Sequence, residues 1–209
     1  MDLMGKNIVV YDLEIKKPIE QCSRGWASHD EMGISVGCAF DYRSNRFRVF
    51  MDDNIGELTT RLNETGTLVV AFNHMGFDNK VLRASGQRLK PDSELRNYDM
   101  LVESKKGAGD DQYAKGFKLD DHLRVLGLPM KTADGAVAPH WYQSGKIGAL
   151  VDYCLNDVMQ ERALFEYIVA HGKLACEYQR NPYSVATPYL EMAEKTIEGV
   201  PNDRRNESQ

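Results

Sequence analysis

Four carboxylates and one tyrosine carry the strongest chemical signal in this sequence. Asp12 and Glu14 lie two apart in KNIVVYDLEI, a segment dense in β-branched residues. Side chains two apart on a strand share one face of a sheet. Two carboxylates on one face, beside apolar Val9, Val10 and Leu13, are costly to desolvate, and a divalent cation would offset that cost. Asp78 follows in AFNHMGFDNKVL, at the start of an expected helix, where a first-turn carboxylate is also favoured simply by the helix dipole. Tyr153 and Asp157 are four apart in DYCLNDV, a spacing that makes them neighbours on one helix face. The apolar stripe of that helix is Ile147, Leu150, Val151, Cys154 and Val158. At about 100° per residue, Tyr153 and Asp157 fall on its margin. The chemistry such a set supports is oxygen ligation of Mg²⁺ or Mn²⁺.

The elements that must position these groups read as follows. Residues 6–15 form a first strand ended by Pro18, with further strands at 33–42 and 46–51 joined through the turn tripeptide RSN. Residues 54–64 carry Ile55, Leu58 and Leu62 at helical spacing, with Asn54 as candidate cap. A fourth strand covers 67–72, a helix 77–85 and a fifth strand 98–102. Residues 105–115 are polar and Gly-rich and read as a mobile loop, 119–126 as a helix, and 130–140 as irregular. One long helix runs from about 146 to 171, with Gly172 as its stop signal. Three strands followed by alternating strands and helices predict an α/β fold with a mixed five-stranded sheet flanked by helices. The expected domain is 1–175, followed by a C-terminal extension, 176–209, whose polar end from Asn202 reads as disordered.

The order of the motifs is more specific than any one of them: Asp-x-Glu on a first strand, Asn-x-x-x-Phe-Asp after a later strand, Tyr-x-x-x-Asp on a late helix. This order resembles the three motifs of the DEDD exonuclease superfamily, which has the RNase H-like fold. YDLEIKK looks like the first motif, FNHMGFDNKVL the second and DYCLNDV the third. The histidine subclass has a histidine five residues before the last aspartate; here Asp152 stands there, so the resemblance is to the tyrosine subclass. LDDHLRVLGLPMK, GAVAP and the GK before the last motif are similar to exonucleases related to the proofreading domain of family B DNA polymerases. That branch often has threonine four residues after the last aspartate. This chain has Glu161, which reads either as a partner of the ligands or, preferably, as a salt-bridging surface residue.

The resemblance implies a 3′–5′ exonuclease on single-stranded DNA that works with two divalent cations, Mg²⁺ or Mn²⁺. It makes Asp12, Glu14, Asp78 and Asp157 the ligands and Tyr153 the residue that orients the attacking water. Asn73, Phe77, Trp141 and Lys146 become candidate substrate contacts: the aromatic rings against bases or ribose, the lysine on a phosphate. The alternative for the two rings is ordinary core packing. His74 and His140 are weaker phosphate-contact candidates. An exoribonuclease of the same fold is the alternative enzyme. A non-catalytic module binding a replication or repair protein is the alternative outside enzymes. A separate polymerase or repair protein is the expected protein partner.

Composition bounds these readings. The 209 residues suit one α/β domain, and 42% hydrophobic residues suffice for a core. No apolar run approaches the roughly 20 residues of a membrane span, and no cleavable signal pattern opens the chain, so a cytoplasmic protein is expected. The net charge of −5 argues against a general nucleic-acid binder. Substrate backbone must then meet local basic patches: Arg43, Arg46 and Arg48; Lys80, Arg83, Arg88 and Lys90; or Lys105, Lys106, Lys115 and Lys118. Cys22, Cys38, Cys154 and Cys176 form no C-x-x-C pair, which argues against a zinc site or disulfide framework. The absence of G-x-G-x-x-G and of a P-loop argues against nucleotide-binding α/β classes.

Overall fold

The computed structural model describes residues 2–109, 115–130 and 137–188. Five strands form one mixed sheet: β1 (Ile8–Ile15), β2 (Ile34–Asp41), β3 (Arg46–Phe50), β4 (Leu68–Ala71) and β5 (Arg96–Asp99), in the order β3-β2-β1-β4-β5. β1 pairs antiparallel with β2, and β2 with β3, while β1–β4 and β4–β5 are parallel. The expected α/β class with a mixed five-stranded sheet flanked by helices is the observed one.

Alternation along β1 divides the core into two. Ile8 and Val10 face one cluster; Val9, Tyr11, Leu13 and Ile15 face the other. The second cluster is closed by α2 (Ile55–Leu62) and α3 (Asp78–Ala84) through Ile55, Leu58, Leu62, Val81 and Leu82. α1 (His29–Met32) adds Met32 to the same side. Gly37 on β2 lets α2 approach closely, since a Cβ there would lie 2.9 Å from the Leu13 side chain and 3.0 Å from that of Ile55. The first cluster is covered by α7 (Ile147–His171), a helix about 38 Å long by its rise per residue. α4 (Met100–Ala108), α5 (Leu119–Leu126) and α6 (Ala138–Gln143) complete that layer.

Beyond α7 a two-stranded ribbon, β6 (Lys173–Leu174) and β7 (Tyr183–Ser184), packs on the same cluster. Leu174, Cys176, Tyr183 and Val185 are buried in it, and the Tyr98 hydroxyl donates to the Ala186 carbonyl at 2.5 Å. Ser104 joins His122 and Tyr183 at 2.6 Å each, tying the ribbon to α4 and α5. All four cysteines are buried free thiols.

Three local expectations need correction. The fifth strand is Arg96–Asp99, and the apolar run Met100, Leu101, Val102 opens a helix. Asp99 causes this switch: its carboxylate accepts the backbone N–H groups of Leu101 and Val102, capping α4. The expected mobile loop at 105–115 is helical to Ala108 and stops at left-handed Gly109; residues 110–114 lie outside the described part. The expected irregular stretch 130–140 ends in α6, which has a proline in its first turn; residues 131–136, and the C-terminal segment expected to be disordered, also lie outside it.

Candidate metal centre

The site stands where β1 outruns its parallel neighbour. β1–β4 pairing stops at Val10 opposite Val70, and β4 ends at Ala71. Asp12 and Glu14 continue the face of β1 begun by Ile8 and Val10, so they point toward α7 rather than α2. α7 brings Asp157 to the same place. Asp12, Glu14 and Asp157 offer oxygens that all lie within 4.8 Å of one another, a spacing able to hold a metal ion. Glu14 and Asp157 are buried, and Asp12 is partly so. Cys154, one turn before Val158, sets its Sγ 3.5 Å from the Asp12 carbonyl oxygen and 3.7 Å from Asp12 Oδ2.

Asp78 arrives from the opposite layer as the first residue of α3. It lies outside the 4.8 Å group. The backbone N–H of Leu13, beyond the β1–β4 pairing, favours the charged form of its carboxylate. Its Oδ1 is buried and has no hydrogen-bond partner among the described residues. The loop that carries it is held by Asp99, whose oxygens accept the N–H groups of Asn73 at 2.9 Å and Met75 at 3.1 Å. Asn73 adopts φ 69°, and its carbonyl accepts the N–H groups of Gly76 and Phe77 at 3.0 Å. Its side-chain amide lies against Gly76, where any Cβ would collide with it.

The electrostatics are those of concentrated negative charge in a dry place. Burial pushes the Asp12 carboxyl well above the usual range, and Glu14, Glu161, Asp78 and Asp157 push it further. Burial, opposed by backbone N–H groups and assisted by Asp99, holds Asp78 at about 7. Burial and then Asp157, Glu14 and Asp12 drive the Tyr153 phenol strongly upward, so it stays protonated at neutral pH. The charges acting most strongly on Asp12 are all carboxylates; no cation is among them. A divalent cation would offset this concentration of negative charge.

The remaining candidates are placed unevenly. Phe77 is half-buried against the α2–α3 cluster and meets Trp26 edge to face at 5.6 Å. Trp141 packs on the α7 cluster and meets Tyr153 edge to face at 5.9 Å. Lys146 is exposed at the head of α7, about 16 Å along the axis from Asp157 by helix rise, so it is not part of the carboxylate group. Asn73 is turned into its own loop. His74 is fully buried, with Nε2 3.0 Å from Asn97 Oδ1; as a phosphate contact it is excluded by burial. His140 stays exposed beside Glu20. Within the basic patches, Arg43 pairs with Glu64 and Arg83 with Asp92.

Glu161 corrects the preferred reading of the sequence. It is 3% exposed, not a surface ion-pair residue. Two other residues escaped sequence reasoning. Asp99 gave no signal beyond an acidic residue at a strand end. Trp26 lies in a segment without periodicity, yet stands 67% exposed beside Phe77.

No family model matches this chain, and no curated protein matches it. Solved structures do. A family B DNA polymerase from the hyperthermophilic archaeon Pyrobaculum calidifontis aligns with TM-score 0.58 at 16% identity, over 77% of this chain and 24% of the polymerase. A nuclease in its apo form aligns with TM-score 0.48 at 14% identity, over 78% of this chain and 72% of the nuclease. E. coli ExoI, in a zinc-bound complex with single-stranded DNA, aligns with TM-score 0.48 at 11% identity, over 78% of this chain and 40% of ExoI. The chain thus spans about a quarter of the polymerase's length. No helix among the described residues is long and apolar enough to cross a membrane. The chain shares its α/β fold with part of that polymerase, and one end of β1 together with α7 carries an acidic trio able to hold a metal ion.

Proposed function

We propose that this chain is a metal-dependent 3′–5′ exonuclease of the tyrosine subclass, acting on single-stranded nucleic acid, with DNA preferred over RNA. One observation carries the reading: Asp12, Glu14 and Asp157 converge from a strand and a helix within 4.8 Å, with buried Asp78 close by and no compensating cation among the strongest influences. Directionality and the preference for DNA rest on the resemblance of the three motifs.

Asp12, Glu14, Asp157 and Asp78 hold two divalent cations, Mg²⁺ or Mn²⁺. When bound, such ions stabilise the entering and leaving oxygens of an in-line displacement at phosphorus and acidify bound water. Tyr153 keeps its proton, held by burial and by the neighbouring Asp157 carboxylate, so the phenol positions the attacking water without binding metal. Asp99 keeps the loop bearing Asp78 in place. Phe77 with Trp26 offers aromatic surface to the bases, Trp141 buttresses Tyr153, Asn73 shapes the approach beside them and Lys146 meets backbone phosphate farther from the centre. A separate polymerase or repair protein is the natural partner of such a chain, and the cytoplasm its natural place.

The test uses purified protein with end-labelled DNA and RNA oligonucleotides beside covalently closed single-stranded circles, all in Mn²⁺. Linear strands should shorten from the 3′ end while circles survive. Rapid cutting of circles would make the protein an endonuclease, and early release of a 5′ label as mononucleotide would reverse the polarity.

A further inference from the structure

We infer that Glu161 is a fifth carboxylate of the ion centre, a positioning residue that together with Asp78 completes the surroundings of the second cation. The inference rests on the metal-centre reading above. Glu161 follows Asp157 by one helical turn, so the two share a face of α7. One of its oxygens, Oε1, accepts the Phe72 backbone N–H at 3.0 Å, just past the end of β4. The other, Oε2, is buried with no hydrogen-bond partner among the described residues. Asp78 is the charge acting most strongly on Glu161, followed by Asp157, and Glu161 in turn acts on Asp12 and on Tyr11. Asp78 has the matching feature, a buried Oδ1 without a partner.

A purely structural role does not account for this arrangement. Holding the Phe72 N–H requires one neutral acceptor. A second carboxylate oxygen, ionised, dry and unpartnered beside other carboxylates, opposes folding unless a proton or a cation is near. Glu161 also joins two parts of the centre. It hangs from the helix that carries Asp157, and it holds the strand end from which the loop to Asp78 departs. The trio of Asp12, Glu14 and Asp157 has the spacing to hold one ion. The unpartnered oxygens of Asp78 and Glu161 supply what a second needs, directly or through water.

Glu161→Gln isolates the charge, because the amide oxygen can still accept from Phe72. Calorimetric titration with Mn²⁺ should give two ions for the wild type. In Glu161→Gln the weaker ion should lose at least tenfold in affinity, on the order expected for loss of a supporting partner, while the tighter ion stays within a factor of about two. Thermal melting without metal should show the variant folded and at least as stable as the wild type. Glu161→Thr should show the same loss for the weaker ion. Wild-type affinities for two ions in Glu161→Gln would overturn the inference and leave the metal centre intact. A wild-type protein that binds no Mn²⁺ would overturn both.

Discussion

The backbone N–H of Leu13 on β1 favours the charged form of the Asp78 carboxylate on α3. That stretch of β1 lies beyond its pairing with β4, and Asp78 brings a carboxylate from one layer of the fold toward a trio built on the other. Asp12, Glu14 and Asp157 belong to the α7 side, whereas α3 belongs to the α2 side. The centre therefore reports on the docking of both layers.

The metal-free protein should lose stability as pH rises. Asp78 is held at about 7, and Asp12 and Glu161 are also raised. An unfolded carboxyl titrates near 4, so the folded state binds more protons between about pH 4 and 7. The stability these groups contribute is full below that window and lost as pH climbs through it. Saturating Mg²⁺ should flatten or reverse the trend. Melting temperature against pH in EDTA and in Mg²⁺ checks this; a metal-free stability that rises from pH 5 to pH 8 would contradict it.

The two residues of the late helix should separate by role. Asp157→Ala removes a proposed ligand and its charge, so activity should fall to background and metal affinity should weaken. Tyr153→Phe keeps the ring and its contact with Trp141. It should lower kcat by about 10² to 10⁴ with little change in metal Kd. Circular dichroism serves as the folding control. Wild-type kcat in Tyr153→Phe would remove the assignment of the tyrosine.

Trp26 is 67% exposed, so truncating it should cost little stability. Stacking of a base on an aromatic ring contributes about 1–3 kcal/mol. Trp26→Ala should therefore raise KM or Kd for single strands by roughly fivefold or more at unchanged melting temperature. Unchanged affinity, measured by fluorescence anisotropy in Ca²⁺ to suppress turnover, would take Trp26 out of the substrate path.

Asp99 accepts four backbone N–H groups, from Asn73, Met75, Leu101 and Val102. Asp99→Ala leaves them without their acceptor in a largely buried place, at about 1–3 kcal/mol for each group that finds no substitute. A marked drop in melting temperature and loss of the weaker metal ion are expected together. A stable variant with intact metal binding would show that the loop holds itself.

The parts of the site that follow from local periodicity were legible in the sequence. Alternation alone puts Asp12 and Glu14 on one face, and helical spacing puts Tyr153 and Asp157 at the edge of an apolar stripe. The sheet class followed from the order of strands and helices. What stayed hidden depends on packing between distant segments. Glu161 has the composition of a surface residue, and only the approach of Phe72 shows it buried. Asp99 ends a strand whose continuation, Met100 to Val102, is apolar enough to look extended until its carboxylate is seen capping a helix. Trp26 meets Phe77 across fifty residues of chain that carry no periodic signal linking them.

In the proposed function, a carboxylate-bound metal drives exonucleolytic cleavage. The most direct test is degradation of a 5′-labelled single-stranded DNA by wild type and by Asp12→Asn, in Mg²⁺, Mn²⁺, Ca²⁺ and excess EDTA. The wild type should give a ladder shortening from the 3′ end in Mg²⁺ or Mn²⁺, little in Ca²⁺ and none in EDTA, and Asp12→Asn should be inactive throughout. Full wild-type activity in excess EDTA, or undiminished activity in Asp12→Asn, would rule out a metal held by these carboxylates as the agent of cleavage.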